Sequence, residues 1–190
     1  MLSPYKGDFR LTSPQMAART VMGETAPHLG IDLVGKTKNI YAVTSGTVLK
    51  SEITVDRNND AWMFGNRVWI RDAAGKIACY HHLATRKVFA GHVVNAGDLI
   101  GIEGSTGRST GSHLHFEVRD RLGVGYKVFS AAEYLGIQNV TGLYKYTIPA
   151  SDSYTEIVRK KAGLEAQTMA YLKKYKYAED LFRKLAGAMK

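Results

Sequence analysis

The stretch Asn66-Arg67-Val68-Trp69-Ile70-Arg71-Asp72-Ala73-Ala74-Gly75-Lys76-Ile77-Ala78-Cys79-Tyr80-His81-His82-Leu83 decides the fold class. Val68 and Ile70 alternate with Arg67, Trp69 and Arg71, the two-residue period of a strand with unlike faces. Asp72-Ala73-Ala74-Gly75 then supplies a four-residue turn into a second strand, near Lys76 to His82, so a hairpin is predicted. Working outward, Ile40 to Val43, Gly46 to Lys50, Leu99 to Glu103 and Leu114 to Arg119 read the same way, separated by Gly, Asn and Asp turns between about Phe9 and Tyr146. Closely spaced strands of this kind predict a mainly β domain, a compact antiparallel sandwich or barrel-like fold.

The chain has 190 residues, enough for one domain with a small appendage. Hydrophobic residues make up 45% and charged residues 23%, which excludes a disordered or fibrous chain. Composition changes near Pro149. From Ser151 onward Gly is scarce, and Leu172, Tyr175, Leu181, Phe182 and Leu185 form an apolar stripe at helical spacing. Helices are predicted near Thr155 to Ala162 and Glu165 to Ala188, which divides the chain into a domain over 1–149 and a basic helical extension over 150–190. The net charge of +9 favours polyanionic partners such as nucleic acid, acidic membranes or bacterial wall polymers. One cysteine, Cys79, forms no intramolecular disulfide and excludes zinc sites built on two thiolates. The first residues lack the apolar core of a signal peptide, and no run approaches the roughly 18 apolar residues of a membrane span.

The six histidines are unusual in placement. In Gly111-Ser112-His113-Leu114-His115-Phe116-Glu117-Val118-Arg119, a strand puts His113 and His115 on one face. In Pro27-His28-Leu29-Gly30-Ile31-Asp32, a spacing of four puts His28 and Asp32 on one face of a helix or strand, and Gly30 and Ile31 favour the extended form. Together with His115 they offer two imidazoles and a carboxylate, a three-ligand zinc set with the fourth tetrahedral position open. In Tyr80-His81-His82-Leu83, adjacent strand residues face opposite ways, so only one histidine can join the others, and spacing leaves the choice open.

His28-x-x-x-Asp32, the Tyr-x-His-Leu pattern of Tyr80 to Leu83, the glycine-rich Gly104 to Gly111 and His113-x-His115, in that order, resemble the M23 family of peptidases, the lysostaphin or LytM type zinc endopeptidases of bacterial cell walls. The similarity runs from about Leu11 to Gly136. It implies one zinc ion held by His28, Asp32 and His115, with His82 and His113 as the catalytic histidines. His81 then becomes a bystander on the opposite face, whose loss should be nearly silent. The implied substrate is a peptide bond in the stem peptides or cross-links of peptidoglycan. With no leader recognised, the resemblance further suggests a phage or prophage lysin, held in the host cytoplasm until release to the wall, or carried on the virion.

Ser13-Pro14-Gln15-Met16-Ala17-Ala18-Arg19 departs from the family's usual aromatic-glycine turn, so one groove wall is expected to differ. Gly104 to Ser112 is expected to form a wall; it lacks the Gly-Lys-[Ser/Thr] ending of a phosphate loop. Glu52 to Phe64 reads as an exposed loop and a second candidate wall. His92 reads as a surface residue and Cys79 as a small buried hydrophobe, while Trp62, Phe64 and Trp69 suit either packing or sugar stacking. Two rival readings are a catalytically inactive wall-binding or regulatory relative and a nucleic-acid-binding barrel. The second leaves the five motif residues unexplained, so no nucleic-acid partner is expected.

Overall fold

The computed structural model describes residues 3–146, 162, 172 and 178–188. The chain divides into two compact units, Met1–Tyr146 and Thr147–Lys190. In the first unit fourteen strands follow in order: β1 (Phe9–Ser13), β2 (Ala18–Val21), β3 (Glu24–Pro27), β4 (Ile31–Gly35), β5 (Asn39–Tyr41), β6 (Gly46–Glu52), β7 (Asn66–Arg71), β8 (Ile77–Leu83), β9 (Thr85–Arg86), β10 (Val93–Val94), β11 (Leu99–Ile102), β12 (Leu114–Arg119), β13 (Val128–Phe129) and β14 (Gly142–Tyr144). A short 3-10 turn, Asp60–Phe64, and a five-residue helix α1, Ala131–Leu135, complete it.

The predicted hairpin is present: β7 pairs antiparallel with β8. Nine strands form one sheet in the order β10-β6-β7-β8-β12-β4-β1-β14, with β13 on β12. The sheet is open, with β10 and β14 as its ends, rather than closed into a barrel. Strands β5, β11 and β9 form a three-stranded sheet whose Ile40 and Ile100 share one core with Leu11, Leu33, Val68, Tyr80 and Phe116. Alternation explains the layering. Along β12, Leu114, Phe116 and Val118 enter that core, which leaves His115, Glu117 and Arg119 on the other face. That second face is buried as well, beside Trp69, Ile77 and Cys79 of the neighbouring β7 and β8, so a polar cluster is shut in on this side of the sheet.

β2 and β3 form a separate two-stranded ribbon. Their two-residue turn, Met22-Gly23, has positive φ at both positions, as a tight hairpin turn requires. In the second unit helix α2, Ala178–Ala188, buries Phe182 and Ala186, one turn apart. Apart from this helix and from Ala162 and Leu172, which are also helical, the two predicted helices lie outside the described residues. Among the described residues no helix is long and apolar enough to cross a membrane.

Candidate active site and metal centre

The central strands of the large sheet run side by side as β8, β12 and β4. Register therefore places His115 opposite Asp32 on one side and opposite His81 on the other. His28 follows β3, and a bend over Leu29 and Gly30 separates it from Asp32 on β4. The two do not share one continuous strand face as the spacing had implied; the bend brings them together. Only glycine fits at that bend, because a Cβ on Gly30 would lie 2.3 Å from the Phe116 carbonyl oxygen and 2.8 Å from His115 Nε2.

Three donor atoms converge. His28 Nε2 lies 2.9 Å from His115 Nδ1, and each lies 3.1 Å from Asp32 Oδ1. His113 Nε2 is 3.6 Å from the same oxygen. His82 closes the ring of histidines, its centroid 4.8 Å from that of His113 and 5.9 Å from that of His115.

Their neighbours fix the tautomers. A carbonyl can only accept, so His28 Nδ1 donates to Pro14 O (3.0 Å), His82 Nδ1 to Thr106 O (2.8 Å) and His113 Nδ1 to Gly111 O (2.8 Å). Each ring is left with an Nε2 lone pair. His115 is turned the other way, its Nε2 3.6 Å from Glu117 Oε2 and its Nδ1 facing Asp32. Arg119 in turn clamps both Glu117 oxygens, at 2.6 and 3.0 Å.

The placement of His81 corrects the sequence reading. It is not on the opposite face from His115: its ring stacks on that of His115, centroids 5.3 Å apart. By strand alternation it is His82 that should point away. His82 reaches the site because its backbone turns to φ 61 at the end of β8, a left-handed conformation that costs about 1–3 kcal/mol in a non-glycine residue. His81 is fully buried, and its Nε2 accepts a hydrogen bond from Trp69 Nε1 at 2.8 Å.

Burial dominates the electrostatics. It pushes His28 down, His81 far down and His82 down to about 3, so all three stay neutral near pH 7. Burial also opposes charge on Asp32 and Glu117. Hydrogen bonds from His115 and His28 outweigh it at Asp32, and those from His115 and Arg119 outweigh it at Glu117, holding both carboxyls below their usual range. The His115 proton, penalised by burial, is retained by Asp32 and Glu117, which raise its pKa.

Two cavities flank this centre. One, about 220 Å³, lies against Asp32 and His113 and is hydroxyl-rich, with Thr12, Ser109 and Thr110 in its wall. The other, about 150 Å³, lies against His28 and His82 and is walled by Pro27, Leu29, Met63 and Phe64. The expected walls at Gly104 to Ser112 and Glu52 to Phe64 thus both line the site. Their loops meet closely: a Cβ on Gly107 would lie 2.4 Å from the Gly65 nitrogen.

The model of peptidase family M23 matches residues 26–127, more than half of the chain. The chain belongs to peptidase family M23. The chain is also similar to two curated relatives. Peptidoglycan DD-endopeptidase ShyC of Vibrio cholerae serotype O1 is 39% identical over 114 residues, 58% of this chain and 25% of that protein. DD-carboxypeptidase/endopeptidase Mpg of Neisseria meningitidis serogroup B is 38% identical over 94 residues, 48% of this chain and 20% of that protein. The chain thus spans a quarter or less of the length of these relatives. A crystal structure of the catalytic domain of a variant of the prophage-encoded M23 protein EnpA from Enterococcus faecalis matches with a TM-score of 0.54 and 28% identity, covering 68% of this chain and 95% of that one.

The M23 centre fits zinc on its own geometry. Ligands about 2.0–2.1 Å from a tetrahedral zinc lie about 3.3 Å from one another, close to the 2.9–3.1 Å separations of His28, Asp32 and His115. Each of the three also has the outer partner that metal ligands use: Pro14 O for His28, Glu117 for His115, and Arg19, whose guanidinium donates to Asp32 Oδ2 and leaves Oδ1 facing inward. Sequence reasoning missed Arg19 and Glu103. The Glu103 side chain is fully buried and accepts from Tyr5 Oη (2.6 Å), Lys38 Nζ (2.5 Å) and Ser112 Oγ (2.8 Å), which anchors the residue before His113. Neither has a motif partner nearby in sequence: Arg19 is 13 residues from Asp32, and Tyr5 lies 98 from Glu103. His92 is exposed and Cys79 buried. Trp69 packs against His81, as does Phe64, 4.8 Å away.

Proposed function

We propose that this M23 domain is a zinc-dependent endopeptidase that hydrolyses peptide bonds in peptidoglycan cross-links. The observation that carries the reading is the convergence of His28 Nε2, Asp32 Oδ1 and His115 Nδ1 within 3.1 Å of one another, with His82 and His113 beside them. The names of the relatives support the substrate class, and the prophage-encoded structural relative supports a phage or prophage lysin. A positively charged chain suits approach to an anionic wall, and the basic extension over 150–190 is assigned to that role.

His28, Asp32 and His115 would hold the ion. When bound, zinc supplies Lewis acidity, acidifying water and polarising a carbonyl. His82 is neutral, anchored through Nδ1 and open at Nε2, so it accepts a proton from the attacking water. The proton taken up by His82 is returned to the leaving amine, while His113, anchored on Gly111 O with Nε2 facing Asp32, hydrogen-bonds the carbonyl oxygen as negative charge develops once its Nε2 carries a proton. Peptide release from purified sacculi, read by mass spectrometry, tests this reading. Wild-type protein, a chelator-treated sample, the same sample restored with zinc, and His115→Ala are compared. New peptide termini that need zinc and His115 are expected; their absence on every wall type would leave the regulatory-module reading.

A further inference from the structure

The left-handed backbone of His82 has to be held, because an extended residue there would turn the ring to the opposite face from His81 and away from His115. Thr106 holds it with backbone and side chain at once. Its carbonyl accepts from His82 Nδ1 at 2.8 Å. Its hydroxyl accepts from Asn66 N and donates to Leu83 O, both at 2.9 Å, and so bridges the start of β7 to the end of β8 beside His82. The pairing of these two strands shifts register between Asn66 and Val68, where that hydroxyl sits. Thr106 is itself fixed by close backbone packing: a Cβ on Gly65, a residue with positive φ, would lie 2.4 Å from its carbonyl oxygen. The same loop holds His113 at its two ends, accepting from His113 N at Gly104 O (3.0 Å) and from His113 Nδ1 at Gly111 O.

Resting on the peptidase reading above, we propose that Thr106 is a positioning residue for the hydrolysis. Its carbonyl sets the tautomer that leaves His82 Nε2 open, and its hydroxyl holds the strand end at which His82 turns toward the metal centre. Removing the hydroxyl takes a partner from the Asn66 N–H and from the Leu83 carbonyl together. The end of β8 then relaxes toward extended backbone, and the His82 ring loses its place beside His113. The hydrogen bonds that orient His28, Asp32 and His115 run to Pro14, Arg19 and Glu117 instead, so the loss falls on turnover and not on the metal.

The test uses the zinc-loaded full chain with Thr106→Val, which keeps the shape of the side chain without its hydroxyl, and Thr106→Ser, which keeps the hydroxyl. For each, kcat and KM are measured on purified cross-linked muropeptides, zinc content is determined, and the imidazole nitrogens are observed by NMR, the His82 signal being assigned by its absence from His82→Gln. Thr106→Val is expected to lower kcat about tenfold to hundredfold, with KM changed less than about twofold and zinc retained. Its His82 signal should pass from the single tautomer protonated at Nδ1 to a mixture of the two. Thr106→Ser should recover most of the turnover and the single tautomer. Thr106→Cys, of similar size but a weak donor, should fall between them, and it carries the test if Thr106→Val does not fold. Wild-type turnover, an unchanged His82 signal, a loss that only follows lost zinc, or equal losses in the valine and serine variants overturns the positioning role and leaves the peptidase reading intact. If the wild-type protein cleaves no muropeptide, the peptidase reading fails and the His82 signal alone decides: a mixture of tautomers in Thr106→Val keeps Thr106 as the residue that holds His82, and an unchanged signal overturns that as well.

Discussion

The imidazole of His81 lies flat against that of His115, centroids 5.3 Å apart and planes within 5° of parallel. This contact makes His81 part of the wall that orients His115, a proposed metal ligand. His81→Ala is expected to weaken zinc affinity about tenfold, as loss of an outer partner does, whereas His81→Phe keeps the flat surface and most of the affinity. His81→Phe still costs about 1–2 kcal/mol of stability, because Trp69 Nε1 loses its acceptor. Competition with a chelating dye checks both; equal affinities in all three proteins would return His81 to a bystander.

Gly30 is sterically committed. With a Cβ placed 2.3 Å from the Phe116 carbonyl oxygen and 2.8 Å from His115 Nε2, Gly30→Ala must displace strand β12. A loss of about 1–3 kcal/mol in urea unfolding and a zinc content well below one per chain are expected. A variant with wild-type zinc content would show that the bend can relax.

The histidines proposed as catalytic and the residues proposed as ligands should separate by metal content. His82→Ala and His113→Ala are expected to lower turnover about 10²–10⁴-fold with zinc retained, since neither is one of the three converging donors. Asp32→Ala should lose both zinc and activity. Metal analysis beside muropeptide release distinguishes the two classes, and a metal-free His113→Ala would make that residue a ligand.

Glu103 ties Tyr5, Lys38 and Ser112 together from a fully buried position. Glu103→Ala strands these partners, at a cost of about 3 kcal/mol. It should also reduce turnover through the loosened His113 while leaving zinc bound. Glu103→Gln, which can still accept from Tyr5 or Ser112, should recover much of the activity, read by the same assay.

Burial keeps His28, His81 and His82 neutral in the metal-free fold, whereas in the unfolded chain they titrate near 6.5. The stability this provides is complete above about pH 6.5 and is lost as pH falls, because the unfolded chain then binds protons the fold refuses. His115, whose pKa is raised, works in the opposite sense but is one against three. Thermal melts of metal-free protein should therefore fall between pH 7.5 and 5, by up to about 1.4 kcal/mol per pH unit for each histidine kept neutral. His82→Gln should shallow the slope, and a flat profile in the wild type would contradict the assignment.

Much was legible in the sequence because local chemistry determined it. The two-residue period of Asn66–Arg71 and Leu114–Arg119 gave β7 and β12 their bounds, and the same alternation put His115, Glu117 and Arg119 on one face. The spacings of His28, Asp32, His113 and His115 were sufficient to nominate four of the converging side chains. What the sequence did not carry was the choice between His81 and His82, since alternation allows one face each. The tertiary structure decided that pair by a left-handed turn at His82, held by Thr106 from a loop 24 residues away, and by the β8–β12 register that stacks His81 on His115. Arg19 and Glu103 belong to the same class. Arg19 on the β2–β3 ribbon meets Asp32 on the large sheet, and Glu103 after β11 of the three-stranded sheet meets Ser112 before β12 and the distant Tyr5, so only the packing of separate sheets against one another brings these groups together.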